Sequence, residues 1–143
     1  MLANLSLGAF VISLTVVIHT WGLIAITHVT AQLTARFRTH GRRSRIFAMV
    51  TTVIGIFCVI TVEVWLWAAF HYALGVVGDF ETALYFSTVS FSTLGYGDVI
   101  PAVEWRLFAA LEGVDGFLLI GWSTAYLIAA GIRVGPFRSG EHF

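Results

Sequence analysis

The chain has 143 residues, 58% of them hydrophobic and only 11% charged, with a mean hydropathy of +0.88. Soluble domains carry about 25% charged residues, so the composition excludes an ordinary soluble globule and points to a bilayer protein. Eight acids balance eight basic residues, all of them Arg, and no basic excess marks a nucleic-acid partner. The one cysteine, Cys58, allows no disulfide within the chain and reads as a small buried hydrophobe.

The first element is Leu5–Thr27, an apolar run without Asp, Glu or Arg. About 20 apolar residues cross the hydrocarbon. The run lacks the basic start and small-residue cleavage site of a signal peptide, so it reads as a retained transmembrane helix. A polar linker follows with Arg36, Arg38, Arg42, Arg43 and Arg45. The second span is Ile46–Phe70, interrupted only by Glu63, which has Ser13, Thr15 or His19 of the first span as candidate partners. Trp65, Trp67 and Tyr72 near its end, with Trp105, read as an interfacial aromatic belt.

Phe80–Phe91 is apolar but too short to span. Asp79 before it is a candidate N-cap, and Glu81 suits the first turn of a helix. This short helix runs directly into Ser92-Thr93-Leu94-Gly95-Tyr96-Gly97-Asp98. The third span, Leu107–Ile132, contains Glu112 and Asp115, followed by a tail from 133 to 143 too short for a ligand-binding regulatory domain. Seven of the eight Arg residues fall on one side of a three-span arrangement, which the positive-inside rule makes cytoplasmic. The N-terminus is then outside and the C-terminus inside, in a plasma (inner) membrane. Asp79, Glu81, Asp98 and Glu104 fall on the opposite face.

Thr93-Leu94-Gly95-Tyr96-Gly97-Asp98 resembles the potassium-channel signature, usually written T-V-G-Y-G-D. Its five fixed residues arise by chance at on the order of one start in a million. The likeness runs from about Asp79 to Ile132, with Leu94 in the usual place of Val. It implies an all-α membrane protein of three transmembrane helices plus a re-entrant pore helix and an extended filter, closed as a homotetramer. Residues 1–45 would hold an extra helix and an Arg-rich loop, and 46–132 the pore domain. Within the pore domain the outer helix is 46–72, the pore helix 80–91, the filter 92–98 and the inner helix 106–132.

The resemblance also assigns roles. Carbonyls of Thr93, Leu94, Gly95 and Tyr96, with the Thr93 hydroxyl, would bind K⁺ over roughly 13 Å, and Gly97 would complete the bend. Tyr96 would enter an aromatic cuff with Tyr85 and Phe86 as candidates. Asp98 closes the outer end. The position where some relatives hold it with Glu is Val89 here, leaving the Tyr85 hydroxyl as candidate partner. Ser92 would form the cavity floor.

Phe117, Ile120, Thr124, Ile128 and Ile132 share one face and would line the cavity and gate. A rotation of the helix by 100° would instead turn that stripe toward the outer helix. Gly116 and Gly121 are candidate hinges or close-packing points. Glu112 and Asp115 lie about 80° and 140° off that stripe, which suits a structural role behind the filter, bonded to Thr88, Ser90 or Ser92. No catalytic constellation or cofactor is expected, only K⁺ as permeant ion. The Arg loop would set topology or bind anionic lipid. Two rival readings are a weakly selective cation channel and a haem- or quinone-binding anchor using His19, His28 or His71.

Overall fold

The computed structural model describes residues 1–36 and 42–133; residues 37–41, with Arg38, and 134–143 lie outside them. Among the described residues the chain is all-helical, with three helices long and apolar enough to cross a membrane. Helix α1 is Leu2–Arg36, α2 is Arg42–Ala73, α3 is Phe80–Phe91, and α4 is Arg106–Arg133 after a single 3-10 turn at Val103–Trp105. Both α1 and α2 outrun their apolar cores, and Arg42, Arg43 and Arg45 belong to the first turn of α2 rather than to a loop. Hydropathy marks the part of a helix in lipid and not where its hydrogen bonding stops.

The ends of α2 and α3 are written locally. The N–H of Val76 donates to the carbonyl of His71 at 2.9 Å and that of Gly75 to Tyr72 at 3.0 Å. This is the paired closure of a helix whose next residue is left-handed, and Gly75 supplies it at φ 65°. Asp79 caps α3 by accepting from the Thr82 N–H at 2.9 Å and the Thr82 hydroxyl at 2.7 Å.

The long helices pack so that α2 touches α1, α3 and α4, while α4 also touches α1 and α3. The buried side of α1 is a stripe through Val11, Thr15, His19, Ile26 and Thr30. One core cluster joins Val11, Val64, Trp67, Phe91, Phe108 and Leu119, and a second joins Leu23, Ile26 and Ile56. The start of α1 is tied to the loop before α4 by a hydrogen bond from the Asn4 side chain to the Glu104 carbonyl.

Trp67 corrects the expected aromatic belt. It is fully buried, whereas Trp65 and Tyr72 are exposed and meet Phe80 edge-on at 6.1 and 6.0 Å. Two residues along a helix turn by about 200°, so Trp65 and Trp67 cannot share one face. Cys58 is likewise exposed on the outside of α2, not buried as its type suggested.

Candidate functional site

Helix α3 ends at Phe91, and the chain then leaves helical geometry through residues 92–98. The break is anchored by the last turn of α3. The N–H groups of Leu94 and Gly95 both donate to the Val89 carbonyl, at 3.0 and 3.2 Å, and that of Thr93 donates to Ser90 at 3.0 Å. Beyond this anchor φ alternates in sign. Thr93, Gly95 and Gly97 stand at 62°, 59° and 75°, with Leu94 and Tyr96 negative between them. Alternating right- and left-handed residues aim successive N–H groups to one side, and hence their carbonyls to the other. Glycine takes this conformation freely, whereas a Thr there is strained by roughly 1–2 kcal/mol. Open space surrounds a Cβ built at Gly95 or Gly97, so backbone conformation, not crowding, requires glycine there.

The end of the segment away from α3 is closed by Tyr85, whose hydroxyl donates to Asp98 Oδ2 at 2.6 Å, while Asp98 Oδ1 accepts the Val99 N–H at 3.1 Å. The Tyr85 hydrogen bond is the main reason the Asp98 carboxyl sits below the ordinary carboxylate range. The Thr82 backbone N–H, then the Thr82 hydroxyl, likewise hold Asp79 low. With Glu81 and Glu104 these acids make an exposed anionic rim.

Phe86 does not join a cuff around Tyr96. It faces inward, with its ring edge-on to His71 at 5.1 Å, while Tyr96 and Leu94 are 67% and 60% exposed. Of the stripe expected to line a cavity, Phe117, Thr124, Ile128 and Ile132 are exposed and Ile120 is half-buried. Helix α4 turns a different face inward, carrying Phe108, Glu112, Asp115, Gly116, Leu119 and Ser123. Ser92, Thr93, Phe117, Ile120 and Gly121 border one open hollow of about 570 Å³, with Val16 of α1 at its edge. Thr124, Ile128 and Ile132 lie further along α4. Of the two candidate hinges, Gly121 has open space where a side chain would be. Gly116 has none, because a Cβ there would lie 2.0 Å from the Phe91 carbonyl oxygen.

Behind α3 lies a band of buried polar side chains that the spans only partly advertised. His71 Nε2 and Glu112 Oε2 are 2.8 Å apart, with Ser87 of α3 adjoining Glu112. Asp115 Oδ2 accepts from Trp67 Nε1 at 2.9 Å and lies 2.8 Å from Thr15 Oγ1. His19 Nδ1 meets Glu63 Oε1 at 2.9 Å, with Ser123 3.4 Å from its other nitrogen. The expected partners of Glu112 and Asp115 on the pore helix are therefore replaced. Thr88 and Ser92 spend their hydroxyls on the carbonyls of Leu84 and Thr88, and the acids turn to α1 and α2 instead. His19 was among the candidates for Glu63. His71, Trp67 and Ser87 were missed as partners, although Glu63, Trp67 and His71 recur every four residues and so share a face.

His19 and His71 are each engaged by a carboxylate inside the packing, and His28 Nδ1 meets the Ile24 carbonyl at 2.8 Å. Among the described residues no three His, Cys, Asp or Glu side chains form a metal-binding group.

A family model for ion channels matches residues 59–133, just over half of the chain. The chain belongs to that ion channel family. No curated protein and no solved structure matches it. The matched segment runs from within α2 to the end of α4, and so contains α3, residues 92–98 and α4; α1 precedes it. This channel is an integral membrane protein, and its function is ion transport.

Proposed function

We propose that the channel is potassium-selective and that four copies close around one axis, each supplying one wall of a carbonyl-lined filter. The observation that carries this reading is the alternation of φ at Thr93, Gly95 and Gly97. It is the backbone device that lets consecutive carbonyls of Thr93, Leu94, Gly95 and Tyr96 face a single line and replace the water around a bare cation. The strain at Thr93 supports it, because strained residues persist where function fixes them.

A single chain offers only one wall, and Leu94 and Tyr96 stay mostly exposed within it; cyclic closure is how identical chains complete such a ring. On this reading the Arg-bearing helix ends face the cytoplasm, with exposed Arg43 and Arg45 open to anionic lipid. The acidic rim then concentrates cations at the outer mouth. Conduction is passive, down the electrochemical gradient, and not catalytic.

K⁺ flux into proteoliposomes, blocked by Ba²⁺ or quaternary ammonium, tests the reading. Gly95→Ala and Tyr96→Ala should abolish flux or selectivity, and reversal potentials in mixed Na⁺/K⁺ should follow K⁺. Unchanged K⁺ flux in both variants contradicts the filter assignment. Equal Na⁺ and K⁺ permeability in the unaltered chain leaves a cation channel without selectivity.

A further inference from the structure

Helix α1 lies outside the matched segment, yet its side chains are bonded into the band directly behind the filter. We propose that α1 is a positioning element for the filter, acting through the Thr15 hydroxyl on Asp115. The proposal rests on reading Thr93–Gly97 as the conducting strand.

Asp115 is buried, and its Oδ2 meets two side chains, Trp67 from α2 and Thr15 from α1; Oδ1 meets none among the described residues. The Thr15 oxygen is 2.8 Å from both Asp115 Oδ2 and the Ile12 carbonyl. Whichever oxygen carries the shared proton, Thr15 is the contact of α1 with this carboxyl.

The residue after Asp115 is Gly116, where the end of α3 rests on α4. A Cβ on Gly116 would meet three backbone atoms of Phe91, at 2.0, 2.7 and 2.8 Å. Phe91 is the last residue of α3 and fully buried, and Ser92 and the strained Thr93 follow it. Close-packed interiors pass displacement on rather than absorb it. A shift of α4 at Asp115 therefore moves Phe91, and Phe91 carries Thr93. The apolar side of α1 reinforces the line, since Val11 belongs to the same core cluster as Phe91.

Thr15→Val keeps the shape of the side chain and removes the hydroxyl, and Thr15→Ser keeps the hydroxyl. Both are made in the 143-residue chain and assayed for K⁺ flux across a range of K⁺ concentrations, with assembly followed by size-exclusion chromatography. We expect Thr15→Val to assemble like the unaltered chain but to lose flux on the order of tenfold at low K⁺, the scale of one hydrogen bond to a buried carboxyl. High K⁺ should relieve the loss, because ions bound in the filter stabilise its ordered form by mass action. Thr15→Ser should stay within about twofold of the unaltered chain.

Normal flux in Thr15→Val overturns the proposal. So does a loss equal at every K⁺ concentration, or failure to assemble, since either makes the hydroxyl a support of the whole fold. Gly95→Ala run in parallel separates the two readings. If it abolishes flux while Thr15→Val does not, only the positioning role falls; if it changes nothing, the filter reading falls first.

Discussion

Along Thr93–Gly97, the strand proposed as the filter, Leu94 and Tyr96 stand 60% and 67% exposed, and a methyl group built on Gly95 or Gly97 would touch nothing. Behind α3, Thr15, His19, Glu63, His71, Ser87 and Glu112 have no exposure at all, and a methyl group on Gly116 would strike backbone. The strand holds its shape by φ angles and by a few hydrogen bonds to the end of α3. The band holds its shape by side chains drawn from all four helices. On the proposed reading, a backbone that is to meet an ion keeps its own chain clear of it, whereas the elements that aim it are packed without slack. Substitutions in the two regions should accordingly fail in different ways: in the strand they should cost conduction alone, whereas in the band, Thr15 apart, they should first cost stability.

The largest stability loss is expected for His71→Ala. It leaves Glu112 buried without its histidine partner, and breaking such a pair costs roughly 3–5 kcal/mol. Thermal unfolding in detergent micelles should show it, and a melting temperature like that of the unaltered chain would mean the pair does not hold α2 to α4. Gly116→Ala comes next, at about 3 kcal/mol or more, because the atom in the way belongs to backbone and cannot rotate aside. Gly95→Ala is the contrasting control. It should lower stability by only about 1–2 kcal/mol, the scale of left-handed backbone strain at an open position, while ending conduction. If Gly95→Ala melts as early as Gly116→Ala, the division between the two regions is wrong.

Trp67→Phe should be milder, at about 1–3 kcal/mol. The ring that packs on Phe108 and His71 is largely kept, and one N–H to Asp115 is lost. The same residue shows where the sequence could be read and where it could not. The bounds of α3, Phe80–Phe91, followed from Asp79 as cap and from the glycines beyond, because both signals act within a few residues. The position of Trp67 did not follow, because aromatic type alone does not say which side of a helix faces lipid. Nor did the pairing of His71 with Glu112, separated by 41 residues. Spacing puts Glu63, Trp67 and His71 on one side of α2, but only the packing of α2 on α4 chooses their partners. The left-handed Thr93 was equally hidden, since residue type argues against it and only its glycine neighbours hint at the alternation.

The smallest effect belongs to the hinge between the two regions, the Tyr85–Asp98 hydrogen bond at the solvent end of the strand. The bond is the largest cause of the lowered Asp98 pKa. A carboxyl whose folded value is lowered contributes stability that is complete above its ordinary value of about 3.9 and is lost as pH falls through the lower folded value. Conduction in the unaltered chain should therefore persist in acid on the Asp98 side until pH drops below about 3.9. Tyr85→Phe removes the hydroxyl and leaves Asp98 the Val99 N–H alone, so its titration moves back up toward the ordinary value. Acid-induced loss of current should then begin at higher pH in Tyr85→Phe, with current at neutral pH little changed. Because both groups are exposed, the shift should be modest, and the melting temperature should hardly move. An acid limb that coincides in the two proteins would mean that Asp98 is held by backbone alone, and that the open strand and the packed helices behind it meet only at the Phe91 end.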